Sequence, residues 1–234
     1  MLRHIDHRNM GRGQQGWLDS HFHFSFANYH NPNNMQFGIL RVLNDDIVQP
    51  KKGFSTHPHK DMEIISYVVD GTLSHEDSMG NKSTLSRGQV QYMSAGTGVT
   101  HSEYNGGDDE LRFIQMWILP DKNGYPPHYG DYPFPWEGRI DQWLPIATSY
   151  NRRSNAPIKI HADANVYATS LSENSKIDFK LEPNRQAYLV LLEGDAKVGE
   201  IEMTERDALE LIGQSITIET TKGAHLYAIE LPQE

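Results

Sequence analysis

The chain has no cysteine, which removes disulfide frameworks and thiolate metal sites and leaves imidazole nitrogen and carboxylate oxygen as the donors to look for. It has no run of about 18 apolar residues, the length a membrane-crossing helix needs. Its opening, Met1-Leu2-Arg3-His4-Ile5-Asp6, begins no apolar signal core, so a cytoplasmic protein without membrane association is expected. Basic residues are outnumbered: 21 Lys and Arg stand against 31 Asp and Glu, a net charge of -10. No basic stripe is visible, which argues against nucleic acid as a direct partner. Helical periodicity is scarce as well.

Short apolar alternations separated by turn-forming residues are abundant. Period-two strands are read at Glu63 to Val69, Thr72 to Glu76, Asn81 to Leu85, Gln89 to Met93, His101 to Tyr104 and Leu111 to Leu119. Near the start, Phe22, Phe24 and Phe26 alternate with His21, His23 and Ser25, a half-exposed strand whose histidines are expected to be polar surface residues and not ligands. Phe37 to Leu43 reads as another strand, punctuated by Asn44, Asp45 and Asp46. Many short strands with Gly, Asp, Asn and Ser turns indicate an all-β sandwich or barrel.

A length of 234 residues accommodates one large all-β unit or two domains of about 100 to 120 residues. Pro120 to Trp136 is dense in Pro, Gly and aromatics, cannot be a central strand, and reads as a packed connection. Beyond it the pattern repeats: Ala187 to Gly194 echoes the apolar run ending at Asp70 and Gly71, and Glu205 to Leu211 echoes Arg87 to Met93. The expected organisation is an amino-terminal metal-binding domain over 1–120, a connection over 121–139 and a carboxy-terminal domain over 140–234. With Gly71 aligned on Gly194, His57, His59 and Glu63 fall on Lys180, Glu182 and Gln186, so the second domain is expected to be degenerate, without metal ligands. His161 and His225 there read as hydrogen-bonded strand residues.

The chemistry is concentrated between Gly53 and Glu103. Side chains two apart on a strand share a face, so His57 with His59, and His101 with Glu103, form two clamps. Placed side by side inside a closed sheet, three imidazoles and one carboxylate converge, a set suited to a divalent transition metal. Strand parity leaves Glu63 open as an alternative carboxylate, because it lies six residues after His57.

These blocks resemble the two cupin motifs, and more closely the pirin family, a two-cupin family, in its bacterial quercetinase branch. The resemblance rests on His57-Pro58-His59-Lys60-Asp61-Met62-Glu63, on His75-Glu76-Asp77-Ser78-Met79-Gly80 and on Met93-Ser94-Ala95-Gly96-Thr97-Gly98-Val99-Thr100-His101-Ser102-Glu103. Gly16 to Ser20 and Phe24 to Tyr29 add to it. It implies an all-β bicupin: two tandem jelly-roll β-barrel cupin domains. It also implies a metal held by His57, His59, His101 and Glu103, with Glu63 as a neighbour able to hold an imidazole N–H. Ser94 stands where the general second motif has proline.

The implied activity is that of a quercetin 2,3-dioxygenase: metal-dependent opening of the central ring of a flavonol by O2, with release of carbon monoxide. Glu103 is the expected catalytic proton acceptor. The expected cofactor is one divalent transition metal, Fe(II) foremost, although Mn, Co, Ni, Cu or Zn could take the same donors. Phe54, Tyr67, Met93 and Phe113 could line an apolar slot for a planar substrate, and each is equally what a barrel interior requires. The competing expectation is a metal-binding redox sensor or regulator that acts on a protein partner with little turnover. A monomer is expected.

Overall fold

A computed structural model describes residues 1–152 and 154–233. The alternating segments are strands: β1 Leu2–Ile5, β2 Gly11–Gln14, β3 Leu18–Phe22, β4 Leu40–Val48, β5 Gly53–His59, β6 Glu63–Asp70, β7 Thr72–Asp77, β8 Lys82–Ser86, β9 Val90–Ser94, β10 Val99–Asn105, β11 Leu111–Ile118 and β12 His128–Tyr132. They continue with β13 Leu144–Ser149, β14 Ile158–Ile160, β15 Asn165–Leu171, β16 Lys176–Phe179, β17 Arg185–Val198, β18 Ile201–Thr204, β19 Ala208–Ile212, β20 Ile216–Glu219 and β21 Ala224–Pro232. The only helical segments among the described residues are two 3-10 turns, His7–Asn9 and Trp136–Arg139. No helix there is long and apolar enough to cross a membrane.

The strands form two cupin domains. One compact unit comprises residues 11–134; the other comprises 1–10 with 135–234. In the first, a seven-stranded sheet runs β12-β9-β6-β11-β4-β3-β2 and a four-stranded sheet runs β5-β10-β7-β8. In the second, the main path is β1-β19-β17-β21-β15-β13-β14. The order β9-β6-β11-β4-β3 thus recurs as β19-β17-β21-β15-β13, which is the repeat visible in the sequence.

Gly71 and Gly194 close the corresponding turns at φ +82° and +87°, where a Cβ would strike backbone in both. The equivalence also explains the first ten residues. β1 pairs with β19 in the place that β12 takes beside β9. Asp207 locks it there by accepting from His4 Nε2 at 3.0 Å, His7 Nδ1 at 2.8 Å and the His7 backbone N–H at 2.9 Å.

The strand read through Phe22, Phe24 and Phe26 ends at Phe22, and two further features differ from the sequence reading. The Pro-rich connection contains β12, a proline-free stretch between Pro127 and Pro133 that pairs at a sheet edge. And Asn44, Asp45 and Asp46, read as punctuation, are buried within β4. The reason is pairing: Arg112 on β11 donates to Asp45 through Nε at 2.9 Å and Nη2 at 2.7 Å, a bidentate bridge that replaces the water such a residue would otherwise need.

Inside the first unit the inner face of each central strand reads apolar, polar, apolar. Ile64 and Met93 belong to one apolar cluster, with Trp117 packed against it; Val68, Phe113, Val48 and Leu18 belong to another. Between them one cross-strand row runs Phe22, Asn44, Gln115, Ser66, Gln91 over β3, β4, β11, β6 and β9. In the second unit the matching row is Tyr167, Ala228, Leu189, Leu209, part of a continuous apolar core.

Candidate metal centre

His57 on β5 lies directly opposite His101 on β10. Between this pair and the next, Phe54 opposite Glu103, the register shifts: three steps on β5 match two on β10. This bulge at Ser55 and Thr56 puts Phe54 on the same face as His57, which uninterrupted alternation would forbid. It also brings the Ser55 carbonyl to 2.8 Å from His57 Nδ1. A carbonyl only accepts, so Nδ1 carries the proton and Nε2 presents its lone pair.

The three imidazoles come together as the spacing predicts. His101 Nε2 lies 3.0 Å from His57 Nε2 and 3.0 Å from His59 Nε2. Two donors at right angles and about 2.1 Å from a common ion stand about 3.0 Å apart, so the spacing is that of adjacent positions around one metal. Burial, with neighbouring His101 and His57, pushes His59 down to about 4; burial, with His57 and His75, pushes His101 down to about 3. Both rings are neutral at neutral pH, the state in which imidazole binds metal.

Glu103, two residues on, is buried beside this cluster. Its carboxylate accepts from Gln115 Nε2 at 2.6 Å, from Gln91 Nε2, and from Ser66 Oγ at 3.2 Å. These donors are the centre of the polar row. All are neutral, and no Lys or Arg pairs with Glu103 among the described residues. A buried carboxylate held only by neutral donors is costly, and a cation beside it would balance the charge. The donor set therefore fits a metal.

Glu63 lies on the other sheet, opposite Ser94, whose Oγ donates to its carboxylate at 2.6 Å. Ser94, standing where proline is general, thus serves as a hydrogen-bond donor.

A cavity of about 230 Å³ opens beside His57, His59 and Glu103. Phe22, Phe26, Phe54 and Trp117 wall it; Ser20, Asn44, Asp46 and Gln115 give it a polar side. Of the four aromatic and Met lining candidates only Phe54 borders it. Phe113 and Met93 pack in the apolar clusters and Tyr67 is buried. Trp117 joins wall to site: its indole meets the His59 ring edge-on at 4.9 Å and donates to Gln115 Oε1 at 3.1 Å.

Sequence reasoning missed Asp46. Burial pushes its carboxyl up to about 7, with Asp45 and Glu103 adding to the rise against a hydrogen bond from Ser20. The row Asn44, Gln115, Ser66, Gln91 was missed too, although single polar residues interrupting an apolar inner face, as in Ile64-x-Ser66-x-Val68 or Phe113-x-Gln115-x-Trp117, are a usable signal.

The other histidines lie elsewhere. His21, on β3, and His23, just beyond its end, are buried and not half-exposed, since consecutive residues from Ser20 to Ser25 are all buried; burial pushes His23 down to about 4. His225 Nδ1 bonds Glu193 Oε2 at 2.8 Å, and His161 stacks on Tyr150.

The family model for pirin matches residues 5–118, and that for the quercetinase C-terminal cupin domain matches residues 146–231. The chain is 38% identical over 226 residues to quercetin 2,3-dioxygenase of Escherichia coli, covering 95% of each chain. It is 39% identical over 222 residues to a pirin-like protein of Caulobacter vibrioides, covering 94% of this chain and 95% of that one. Among solved structures, the bacterial pirin YhhW of Escherichia coli in complex with nickel(II) superposes with a TM-score of 0.92 at 35% identity, over the whole of both chains. With two cupin domains, three converging imidazoles beside a buried glutamate, and full-length relatives at this identity, the chain belongs to the pirin family.

Proposed function

We propose that the protein is a metal-dependent dioxygenase that opens the central ring of a flavonol such as quercetin with O2 and releases carbon monoxide. The observation that carries this reading is the pair of neutral, mutually adjacent imidazoles and the buried carboxylate facing an aromatic-walled cavity. His57, His59, His101 and Glu103 would hold one divalent transition metal, with Fe(II) the first expectation; the bacterial pirin YhhW was solved with nickel(II). When bound, such an ion supplies Lewis acidity that eases deprotonation of the flavonol 3-hydroxyl.

The chain's own residues do the rest. The walls from Phe22, Phe26, Phe54 and Trp117 accept a planar ring system and exclude water from it. Glu103 takes the 3-hydroxyl proton on its carboxylate, and Gln91, Gln115 and Ser66 keep that carboxylate aimed. Relatives named quercetin 2,3-dioxygenase support the substrate class.

The test pairs elemental mass spectrometry of native protein with an aerobic quercetin assay reading absorbance loss and carbon monoxide. The expected result is about one transition metal per chain, metal and turnover both lost in His101→Ala, and turnover lowered ~100-fold or more in Glu103→Gln. Full turnover by Glu103→Gln would remove the proton-acceptor role. Metal without turnover would favour a redox-sensing or partner-regulating protein instead.

A further inference from the structure

One buried group touches the centre without belonging to the expected ligand set. His75, on β7, is opposite Glu103 in the β7–β10 pairing, and Asp77 is opposite His101. The His75 side chain and that of Asp77 are both fully buried. His75 Nδ1 lies 3.4 Å from His101 Nδ1, and His75 Nε2 lies 3.4 Å from Asp77 Oδ2.

The far end of this chain is fixed. Asp77 Oδ1 accepts from the backbone N–H groups of Met79 at 2.9 Å and Asn81 at 3.0 Å, and Oδ2 accepts from Asn81 Nδ2 at 2.8 Å. The His75 ring is also clamped: it stacks on Tyr129 at 4.4 Å and 11°, and the Tyr129 hydroxyl bonds Ser83 Oγ.

The proton positions then follow by elimination. An ionised carboxylate only accepts, so His75 Nε2 carries its proton toward Asp77. With that proton on Nε2, the Nδ1 lone pair of His75 faces His101 as the acceptor. The proton between the two rings therefore belongs to His101 Nδ1, which leaves the His101 Nε2 lone pair facing His57 and His59.

We infer that His75 is a positioning residue of the metal centre, anchored by Asp77, that sets the tautomer and ring orientation of His101. The inference rests on the proposed ligand role of His101. A histidine retained only for packing would need the stack on Tyr129 but no acceptor toward His101. Partners of this kind that orient a metal-bound imidazole are worth about 10- to 100-fold in metal affinity.

The experiment has two arms. Nitrogen-15 NMR of the imidazoles in metal-free wild-type protein reads which ring nitrogen is protonated; the expected pattern is Nδ1–H for His101 and Nε2–H for His75. Zinc(II) affinity by chelator competition is then compared in wild type, His75→Phe, which keeps a ring against Tyr129 but has no acceptor, and His75→Gln, whose Oε1 can accept in place of Nδ1. His75→Phe is expected to weaken zinc binding about 10- to 100-fold and His75→Gln to restore most of it.

A wild-type His101 protonated at Nε2 overturns the inference, and so does wild-type zinc affinity in a folded His75→Phe. Should that variant not fold, the wild-type spectrum decides alone. Wild-type protein that binds no zinc would instead bring down the ligand reading itself, so the two failures are distinguishable.

Discussion

At the scale of the residue, the centre depends as much on what holds the donors as on the donors. Gln115 is the clearest case, since its amide donates to Glu103 and accepts from Trp117. Gln115→Met keeps the volume and removes both bonds, leaving a buried carboxylate with one amide fewer. The expected cost is about 1.5–3 kcal/mol in unfolding free energy of metal-free protein, measured by urea denaturation. A loss below ~0.5 kcal/mol would mean that Gln91 and Ser66 suffice. The convergence of the three imidazoles was legible in the sequence because alternation dictates their spacing on strands, whereas the choice of Glu103 over Glu63 came from the family resemblance and not from strand parity. Gln115, Ser66, Gln91 and Asn44 were not legible, because a lone polar residue within an apolar strand declares itself only when its cross-strand neighbours are known to be polar too.

At the scale of the element, β5 and β10 carry both clamps, and a glycine lets them meet. A Cβ on Gly53 would lie 2.3 Å from the Glu103 backbone oxygen and 2.6 Å from Tyr104 Cα, so no side chain fits without moving the strand. Gly53→Ala is therefore expected to lift β5 from β10 and weaken zinc binding by at least ~10-fold, read by chelator competition. Unchanged affinity would show that the pairing tolerates the shift. Six strands of the first unit were placed from the sequence to within about two residues, since their period of two is strong. β4 was cut short because Asn44, Asp45 and Asp46 are turn formers by habit, and nothing local reveals that Arg112, far along the chain, pairs with Asp45. β12 was overlooked because the prolines that bracket it, Pro127 and Pro133, mark the segment as a connection although the five residues between them are free of proline and pair at a sheet edge.

At the scale of the whole molecule, the strand order is repeated and the row of side chains lining its interior is not. The repeated strand order has a polar row under the histidines in one unit and an apolar row in the other. The pH dependence of stability follows from the buried groups. Burial holds His23 and His59 at about 4 and His101 at about 3, below the ordinary imidazole value of about 6.5. On acidification from about pH 6.5 the unfolded chain takes up these protons first, so the stability present above that pH is lost as it falls toward 4. Asp46, raised to about 7, has the opposite sign because its folded form keeps a proton that the unfolded form has released. Three imidazoles outweigh one carboxyl. The melting temperature of metal-free protein is therefore expected to fall between pH 6.5 and 4.5, and a flat or rising profile in thermal melts would contradict this balance.

β5 ends its sheet, pairs only with β10, and has no fully buried residue along its length. Under the proposed ligand assignment, His57 and His59 thus sit on a poorly buried edge strand, while His101 and Glu103 stay in the interior. The residence time of the ion is then set by the peeling of one edge and not by unfolding of the barrel. Capture and release become local events of a single strand, separate from the unfolding of the domain that carries it.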